Sequence, residues 1–432
     1  MLLTKRQRIL IIGLVWPELR SSAASQNILS YASLLKDAGH YICFASAADK
    51  TPQSTQLDNV VDEEQSILLN SSTFDDFVSS FSPTIVIFDR YLCEEQFGWR
   101  VSQSAPSCVK ILDCEDLHFL RDARHKAYKN NVNPANENAI TEYLYSDMCK
   151  REIASILRCD LSILLSDIEI RLLVERFGVP ASLLHHCRFL LPQLEQRITN
   201  NATTNTYAQR DGFISIGNFR HAPNWDAVLT IKTKLWPRIR KALPNAQCHI
   251  YGAYLPPKAK QLENRKEGFL VHGFAKDAFS VLSSAKVLLA PINFGAGIKG
   301  KLIDAMMCST PSITSPIGAE GLSIDEGNTE WPGSIMPLFE NEDAFADQAV
   351  RLYADEEYWL RSSEYSHLYL TSIFSYPKQR ASLIKRIEAL TNMLGEHRRQ
   401  HFIGQVLQHH TLASTKYMSQ WIEAKNKRPT DS

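Results

Sequence analysis

Short apolar runs alternate with helical segments along most of the chain, and this alternation constrains the fold more than any other feature. In the first half, apolar runs typical of buried strands occupy residues 9–15, 41–45, 85–88, 109–112 and 161–165. Gly39 marks the end of the first intervening helix with a left-handed cap. Strands that alternate with helices pair in parallel, because each connection crosses back over the sheet. The sequence therefore predicts an α/β fold with helices on both faces of a parallel sheet.

The alternation stops at a polar segment and then restarts. Residues 199–210 contain no large aliphatic side chain and are typical of a linker. Beyond them, strands are predicted at 213–217, 248–252, 268–271 and 287–290. A chain of 432 residues is also too long for one ordinary core. We therefore expect two similar α/β domains facing across a cleft, residues 1–195 and 196–375, followed by a basic helical tail, residues 376–432.

Charge and cysteine usage exclude several classes of protein. Lysine plus arginine and aspartate plus glutamate number 47 each, so the chain has no net positive charge. A protein that binds nucleic acid over a large basic surface is therefore not expected. The nine cysteines form no C-x-x-C pair, which argues against a zinc ribbon or a disulfide framework. Residues 9–15 are short for a signal peptide and no cleavage site follows them. We expect a cytoplasmic protein with reduced thiols.

A glycine-rich segment follows the strand at 287–290 and leads into a helix. Residues 295–301, with the sequence GAGIKGK, are here called the glycine loop. Such a loop lets the backbone approach an anion, and the amides of the helix N-terminus and two lysines add positive charge. A phosphate or diphosphate is the expected ligand. Asp304, one turn into the helix, is either a ribose-binding carboxylate or an ordinary solvated one.

Two known patterns overlap the glycine loop. Gly295, Gly297 and Gly300 match the dinucleotide fingerprint G-x-G-x-x-G, with Glu320 about twenty residues further on. The loop also matches the start of a P-loop, but Leu302 stands where a magnesium-binding hydroxyl is needed, so an ATPase is not expected. A nicotinamide dehydrogenase is disfavoured because the loop lies late in the chain.

Several ordered blocks resemble a known family. They are HAPNWDA at 221–227, LWPRIR at 235–240, GAGIKGKLIDAM at 295–306, IGAEGL at 317–322 and DCEDLHFLR at 113–121. Together they resemble the group 1 retaining glycosyltransferases of family-4 type, which have the GT-B fold. The resemblance covers roughly residues 8–376 and implies two Rossmann-like domains, the second of which holds the nucleotide.

The resemblance also implies an activity. Members transfer a sugar from a nucleotide-diphosphate sugar to an acceptor hydroxyl, with retention and without a metal or other cofactor. The acceptor would be a glycan, a lipid-linked glycan or a protein, and bacterial surface polysaccharide or glycolipid assembly is the implied context. A nucleotide-sugar epimerase of the same fold and a catalytically silent scaffold remain alternatives, the second because Ala296 replaces a family glutamate.

The implied donor-binding residues lie in two segments of the second half, and Lys301 among them would also be catalytic. They are Gly217, Arg220, Asn224, Gly295, Ala296, Gly297, Ile298, Lys299, Gly300, Lys301 and Asp304. At two places the sequence departs from the family pattern, so other groups would have to make the sugar and phosphate contacts. Backbone amides of the loop would replace the missing glutamate at position 296, and Lys299 and Lys301 would carry phosphate contacts that Arg220 alone cannot supply.

In the first half, Asp116 and His118 are the implied catalytic residues, and Ser21 and Ser22 would line the acceptor side. The alternatives are that Asp113, Glu115 and Asp116 form a turn and helix cap, or that these acids bind a metal. The basic tail either packs on the body of the protein or docks on an anionic membrane at its cytoplasmic face.

Overall fold

The structure, a computed structural model, describes residues 6–20, 23–192, 194, 196, 198, 206–322 and 331–427. These residues pack into two compact units. The first comprises the described parts of Met1–Leu117, Ser146–Leu190 and Tyr376–Ser432, and the second those of His118–Tyr145 and Leu191–Ser375. The segment His118–Tyr145 therefore packs with the second unit although it lies well before residue 195, the predicted domain limit.

The first unit contains a parallel sheet in the order β3-β2-β1-β4-β5-β6-β7. Its strands are β1 (Arg8–Gly13), β2 (Tyr41–Ser46), β3 (Glu63–Ser66), β4 (Ile85–Asp89), β5 (Val109–Glu115), β6 (Leu161–Leu164) and β7 (Leu184–His186). The five predicted strands are confirmed. The sequence does not predict the edge strands β3 and β7, because β3 is a polar segment, EEQS, and β7 has only three residues.

Helices cover this sheet. They span Ala23–Asp37, Thr73–Phe81, Arg90–Ser104, Asp147–Arg158, Asp167–Phe177, Tyr376–Gln400 and Phe402–Lys427. Gly39 has a φ of 90°, which confirms the predicted left-handed cap after the first helix. The helix Tyr376–Gln400 buries Leu383, Ile387 and Leu390 in the same core as the strands β1 and β2. The helical tail is thus present, and its first part is integral to the first unit.

The second unit contains a parallel sheet in the order β10-β9-β8-β11-β12-β13. Its strands are β8 (Phe213–Ile216), β9 (Cys248–Tyr251), β10 (Phe269–Gly273), β11 (Val287–Ala290), β12 (Ser312–Thr314) and β13 (Gly333–Ile335). Helices span His118–Lys129, Thr141–Leu144, Ala222–Thr230, Trp236–Ala242, Pro257–Lys260, Ala278–Ser284, Gly300–Met307, Pro316–Ala319, Glu342–Ala354 and Glu356–Ile373. Both sheets thus have the doubly wound pattern that the alternation predicts.

Two further properties bear on the class of protein. All nine cysteines are buried and unbridged, as expected for reduced thiols. Within the described ranges, no helix combines the length and apolar character needed to cross a bilayer.

Candidate functional site

The glycine loop lies where the strand order of the second sheet reverses. From β8 the chain moves outward through β9 and β10, and it then returns to β11 on the other side of β8. The segments after β8 and β11 therefore leave neighbouring strands at the same edge of the sheet. Ligands of open parallel sheets bind at this kind of switch point.

The glycine loop opens onto the N-terminus of a helix. Gly297 has a φ of 63°, a left-handed conformation that side chains disfavour. The helix begins at Gly300 after Lys299, whose extended backbone forms the cap position, and no side chain caps the first turn. The Leu302 N–H is used within the turn, on the Lys299 carbonyl. The amides of Gly300 and Lys301 lie in the first turn of this helix, where backbone N–H groups lack an intrahelical acceptor.

Two ammonium groups flank this turn. Lys301 Nζ donates to Asn224 Oδ1 at 2.7 Å, and Lys299 Nζ donates to the Gly297 carbonyl at 2.7 Å. Burial, together with the charge of Lys299, lowers the pKa of Lys301 to about 8. The two cations therefore repel each other, and an anion bound between them would relieve that repulsion.

Asn224 joins the segments that follow β8 and β11. Its Nδ2 donates to the Asn218 carbonyl at 2.9 Å, while its Oδ1 accepts from Lys301. A Cβ at Gly217 would lie 2.7 Å from Asn224 Cγ, so glycine is required there to make room for Asn224. Gly217 and Asn224, both predicted site residues, are thus brought to Lys301, and Asn224 orients the ammonium group.

The positions of Arg220 and Asp304 do not test their predicted roles. Arg220 is exposed, and its guanidinium lies 3.5 Å above the centre of the Tyr254 ring. Asp304 lies on the helix Gly300–Met307 one turn after its start and is partly buried. Their roles in phosphate and ribose binding stay predictions.

A residue that the sequence does not single out holds the start of the glycine loop. Arg124 lies on the helix His118–Lys129 and is only 2% exposed. Its Nη1 donates to the Gly295 carbonyl at 2.8 Å, and its two terminal nitrogens donate to Glu320 at 2.6 Å each. Because the peptide is trans and planar, the Ala296 N–H points away from Arg124. Glu320 therefore serves an ion pair within the protein, which disfavours the dinucleotide interpretation.

The approach to the loop is also fixed by side chains. Asn293 Nδ2 donates to Asp226 at 2.8 Å, to Thr230 at 3.0 Å and to the Tyr128 hydroxyl at 3.1 Å. Phe294 stacks on the His125 ring at 4.1 Å between centroids. Together with the Arg124 contact, these contacts tie the helix His118–Lys129 to residues 293–295, which lead into and begin the glycine loop.

The predicted catalytic residues of the first half lie around the end of β5. Asp116 follows β5 in the first unit, and His118 is the first residue of the helix His118–Lys129; both are partly buried. Their catalytic roles stay predictions. Ser21 and Ser22 lie outside the described residues.

The turn-and-cap alternative is wrong for Asp113 and Glu115, because both are buried residues of β5. Asp113 lies directly beside Asp89 on β4, and neither of its carboxyl oxygens has a hydrogen-bond partner in the described part of the chain. Glu115 has a φ of 61° and accepts from Asn27 Nδ2 at 3.1 Å. Within the described residues, no three acidic, histidine or cysteine side chains form a group that could hold a metal ion.

Burial favours the protonated forms of these two carboxyls. Burial raises the pKa of Asp113 well above its ordinary value, with the charges of Glu115 and Asp89 adding to the effect. Burial and the charge of Asp89 raise the pKa of Glu115 to about 8. Arg90 donates to both oxygens of Asp89, at 2.9 and 2.8 Å, so Asp89 keeps a charged partner. The sequence shows the acids but not their burial.

Comparisons with known proteins agree with this architecture. Residues 210–355 match the family model "Glycosyl transferases group 1". HepE from Anabaena, solved with UDP and glucose, aligns with a TM-score of 0.64 at 11% identity, over 89% of this chain and 100% of its own. Sucrose-phosphate synthase from Thermosynechococcus elongatus aligns with a TM-score of 0.60 at 15% identity, over 92% of this chain and 100% of its own. WaaG, involved in lipopolysaccharide biosynthesis, aligns with a TM-score of 0.58 at 11% identity, over 87% of this chain and 99% of its own. No curated protein sequence matches the chain.

Proposed function

Because the chain has the GT-B fold and residues 210–355 form a group 1 glycosyltransferase domain, we propose that it moves a sugar from a nucleotide-diphosphate sugar to an acceptor hydroxyl. The observation that carries the proposal is the pair of lysines beside an uncapped helix N-terminus at the switch point of the second sheet. These groups suit the charge of a diphosphate, and they belong to the blocks that carry the family resemblance.

The chemistry follows from where charge develops. As the bond between the sugar and the diphosphate breaks, negative charge grows on the leaving phosphate. Lys299, Lys301 and the amides at Gly300 and Lys301 are most stabilising at that moment, because they are already in place. Asn224 keeps the Lys301 ammonium group in position through its 2.7 Å hydrogen bond. The Arg124 contact keeps the Gly295 peptide fixed, so the Ala296 amide needs no rearrangement.

Several finer points are parts of the proposal. The two ammonium groups and the helix N-terminus supply the positive charge that a metal gives other transferases, so we propose metal-independent transfer. Retention of configuration follows from the family resemblance. Asp304 would bind the ribose. UDP-glucose is the first donor to test, because HepE was solved with UDP and with UDP-glucose.

The proposal for the acceptor and its biological setting is based on solved structures of low sequence identity. WaaG is involved in lipopolysaccharide biosynthesis, and a TarM variant from S. aureus was solved with fondaparinux, alpha-GlcNAc-glycerol and UDP. We therefore place the protein in the assembly of a bacterial surface polysaccharide or glycolipid, with a glycan or lipid-linked acceptor and a cytoplasmic site of action.

The test begins with binding and then measures transfer. A panel of nucleotide-diphosphate sugars is screened by thermal shift, and the stabilising donor is then assayed for acceptor-dependent release of nucleoside diphosphate, with and without EDTA. Lys301→Ala should lower turnover by about two to three orders of magnitude. Lys241→Ala, an exposed lysine before β9 at the opposite edge of the sheet, is the matched control.

Each alternative has its own outcome. Conversion of the donor sugar to its epimer without an acceptor would identify an epimerase. Absence of any stabilising nucleotide would identify a silent family member. Wild-type turnover in Lys301→Ala would remove the role assigned to that lysine.

A further inference from the structure

The last helix of the chain, Phe402–Lys427, exposes its apolar side chains instead of burying them. Phe402 and Tyr417 are each 65% exposed, and Trp421 is 59% exposed. The exposed apolar residues are Phe402, Ile403, Val406, Tyr417, Met418 and Trp421. At about 100° per residue they fall within an arc of about 160°, so they lie on one side of the helix, in two clusters at 402–406 and 417–421 that are here together called the apolar stripe.

The opposite face of the same helix packs on the first unit through small and polar residues. A Cβ at Gly404 would lie 2.1 Å from the Leu157 carbonyl oxygen, so only glycine allows the helix to approach so closely. Gln408 Nε2 donates to the Arg158 carbonyl at 2.7 Å. The buried Ser419 hydroxyl accepts from Arg100 at 3.1 Å. The docked face is thus specifically built, and the helix is not loosely placed.

Glu423, the one acidic residue in the sequence of this helix, also belongs to the docked face. Its Oε1 accepts from the backbone N–H and the hydroxyl of Ser72, at 3.0 and 2.6 Å. A surface helix normally buries its apolar side and exposes its charges. Here the arrangement is reversed, so the apolar stripe must face something other than this chain's own core.

The size of the apolar stripe sets it apart from scattered exposed residues. Three aromatic side chains of roughly 150–250 Å² each, about two-thirds exposed, contribute on the order of 400 Å² of accessible area. The two clusters together match the largest apolar patch on a typical monomer in area, about 300–600 Å², and they share one side of the helix. Patches of this size mark interaction surfaces.

Charge decides which partner fits. Lys416 lies beside one edge of the apolar stripe and Lys425 lies within it near the other edge, with Nζ atoms 5.9 and 5.3 Å from the ring centres of Tyr417 and Trp421. The carboxylate of Glu423 is turned to the docked face. A second copy of this chain would bring the same cations together in a symmetric contact. An anionic surface would instead be attracted along the whole helix.

We propose that the apolar stripe of Phe402–Lys427 lies on the surface of an anionic lipid bilayer. Its aromatic rings would sit at the boundary between headgroups and acyl chains, where amphipathic rings are favoured, and Lys416 and Lys425 would contact the headgroups. The proposal needs no catalytic activity and is independent of the proposed transferase function.

Flotation of the full chain with vesicles tests the proposal. Wild-type protein should float with vesicles of phosphatidylcholine containing about one third phosphatidylglycerol, and it should float much less with phosphatidylcholine alone. The variant Phe402→Ser/Tyr417→Ser/Trp421→Ser should lose at least about tenfold in vesicle affinity. Lys416→Gln/Lys425→Gln should lose roughly tenfold on anionic vesicles only, and salt should weaken the wild type in the same way.

The matched control is Leu360→Ser/Leu368→Ser, which removes two exposed leucines of the helix Glu356–Ile373 in the second unit and should float like the wild type. Unchanged thermal unfolding of the variants shows that the docked face is intact. Trp421→Phe should keep vesicle binding but lose much of the tryptophan quenching by brominated lipid, since Trp421 is highly exposed.

Three results overturn the proposal. They are wild-type protein that does not float, a triple variant that floats like the wild type, and a wild-type dimer that the triple variant converts to a monomer without any vesicle binding. The last result would assign the apolar stripe to a second copy of the chain.

Discussion

Binding of a nucleoside diphosphate should weaken as pH rises above about 8, because Lys301 must be charged to bind it. Burial and the charge of Lys299 lower the Lys301 pKa from 10.5 to about 8. At pH 7 about nine-tenths of the lysine is therefore protonated in the unliganded protein, and at pH 9 only about one-tenth. A diphosphate beside the ammonium group favours the charged form and restores a high pKa in the complex.

The size of the loss in affinity follows from the pKa of Lys301 in the free protein and in the complex. Between pH 8 and the pKa in the complex, each pH unit should lower affinity by about tenfold, because each bound ligand then takes up nearly one proton. If the pKa of Lys301 returns to its ordinary value, the total loss by pH 10.5 is about 300-fold. Near pH 8, binding should take up about half a proton.

Isothermal titration calorimetry with UDP measures both quantities. Affinity is determined between pH 6.5 and 9.5, and proton uptake is obtained from buffers of different ionisation enthalpy. Lys301→Arg stays charged throughout, so its pH profile reports the titration of the ligand alone. Lys241→Ala controls for loss of a lysine elsewhere in the second unit. Identical profiles for the wild type and Lys301→Arg would refute the titration of Lys301 near pH 8 and its coupling to diphosphate binding.

Three further predictions concern neighbouring residues. Asn224→Asp keeps the shape of the side chain but places a carboxylate 2.7 Å from Lys301; calorimetry should show UDP affinity lowered by at least about tenfold, and unchanged affinity would contradict the role of Asn224. Arg124→Gln and Glu320→Gln should each destabilise the protein by about 3 kcal/mol in urea unfolding, because each leaves a buried partner unpaired; the double variant should be less destabilised than the sum, and additivity would argue against the pair. Glu115→Gln should gain in melting temperature relative to wild type as pH rises from 5 to 8, since the folded wild type holds a proton to about pH 8 that the unfolded chain releases near 4.5; parallel melting curves would refute this.

The glycine loop is the part of the site that sequence predicts best. A strand, a loop with three glycines, two lysines and a helix lie within 21 residues, 287–307, so their arrangement depends on local geometry alone. The structure confirms the strand and the helix that follows the loop, and it adds the left-handed conformation of Gly297. Asn224 could be reached from the family block at 221–227, although its hydrogen bond to Lys301 could not.

Other features depend on contacts between distant segments, and the sequence did not reveal them. Arg124 is 171 residues from the carbonyl of Gly295, and no local pattern marks a buried arginine. Glu320 matches a fingerprint in spacing, yet its partner is that arginine. The apolar run predicts a strand that ends at Leu112, because acids usually lie outside a sheet, whereas β5 continues to Glu115.

The helical tail illustrates a third limit. Its composition predicts an amphipathic helix, and either face could have been buried. Only the packing of Gly404 and Ser419 shows that the polar face is docked and the apolar face exposed. Hydrophobic periodicity predicts that an apolar stripe exists. Whether that stripe is buried or exposed depends on contacts with distant segments, which the periodicity does not show.

A crystal structure of the protein with UDP tests the central claim most directly. We predict that the diphosphate lies at the N-terminus of Gly300–Met307, with a phosphate oxygen about 3 Å from Lys301 Nζ and another within hydrogen-bond distance of the Gly300 or Lys301 amide. UDP bound elsewhere on the second unit, with Lys301 still hydrogen-bonded only to Asn224, would contradict the account.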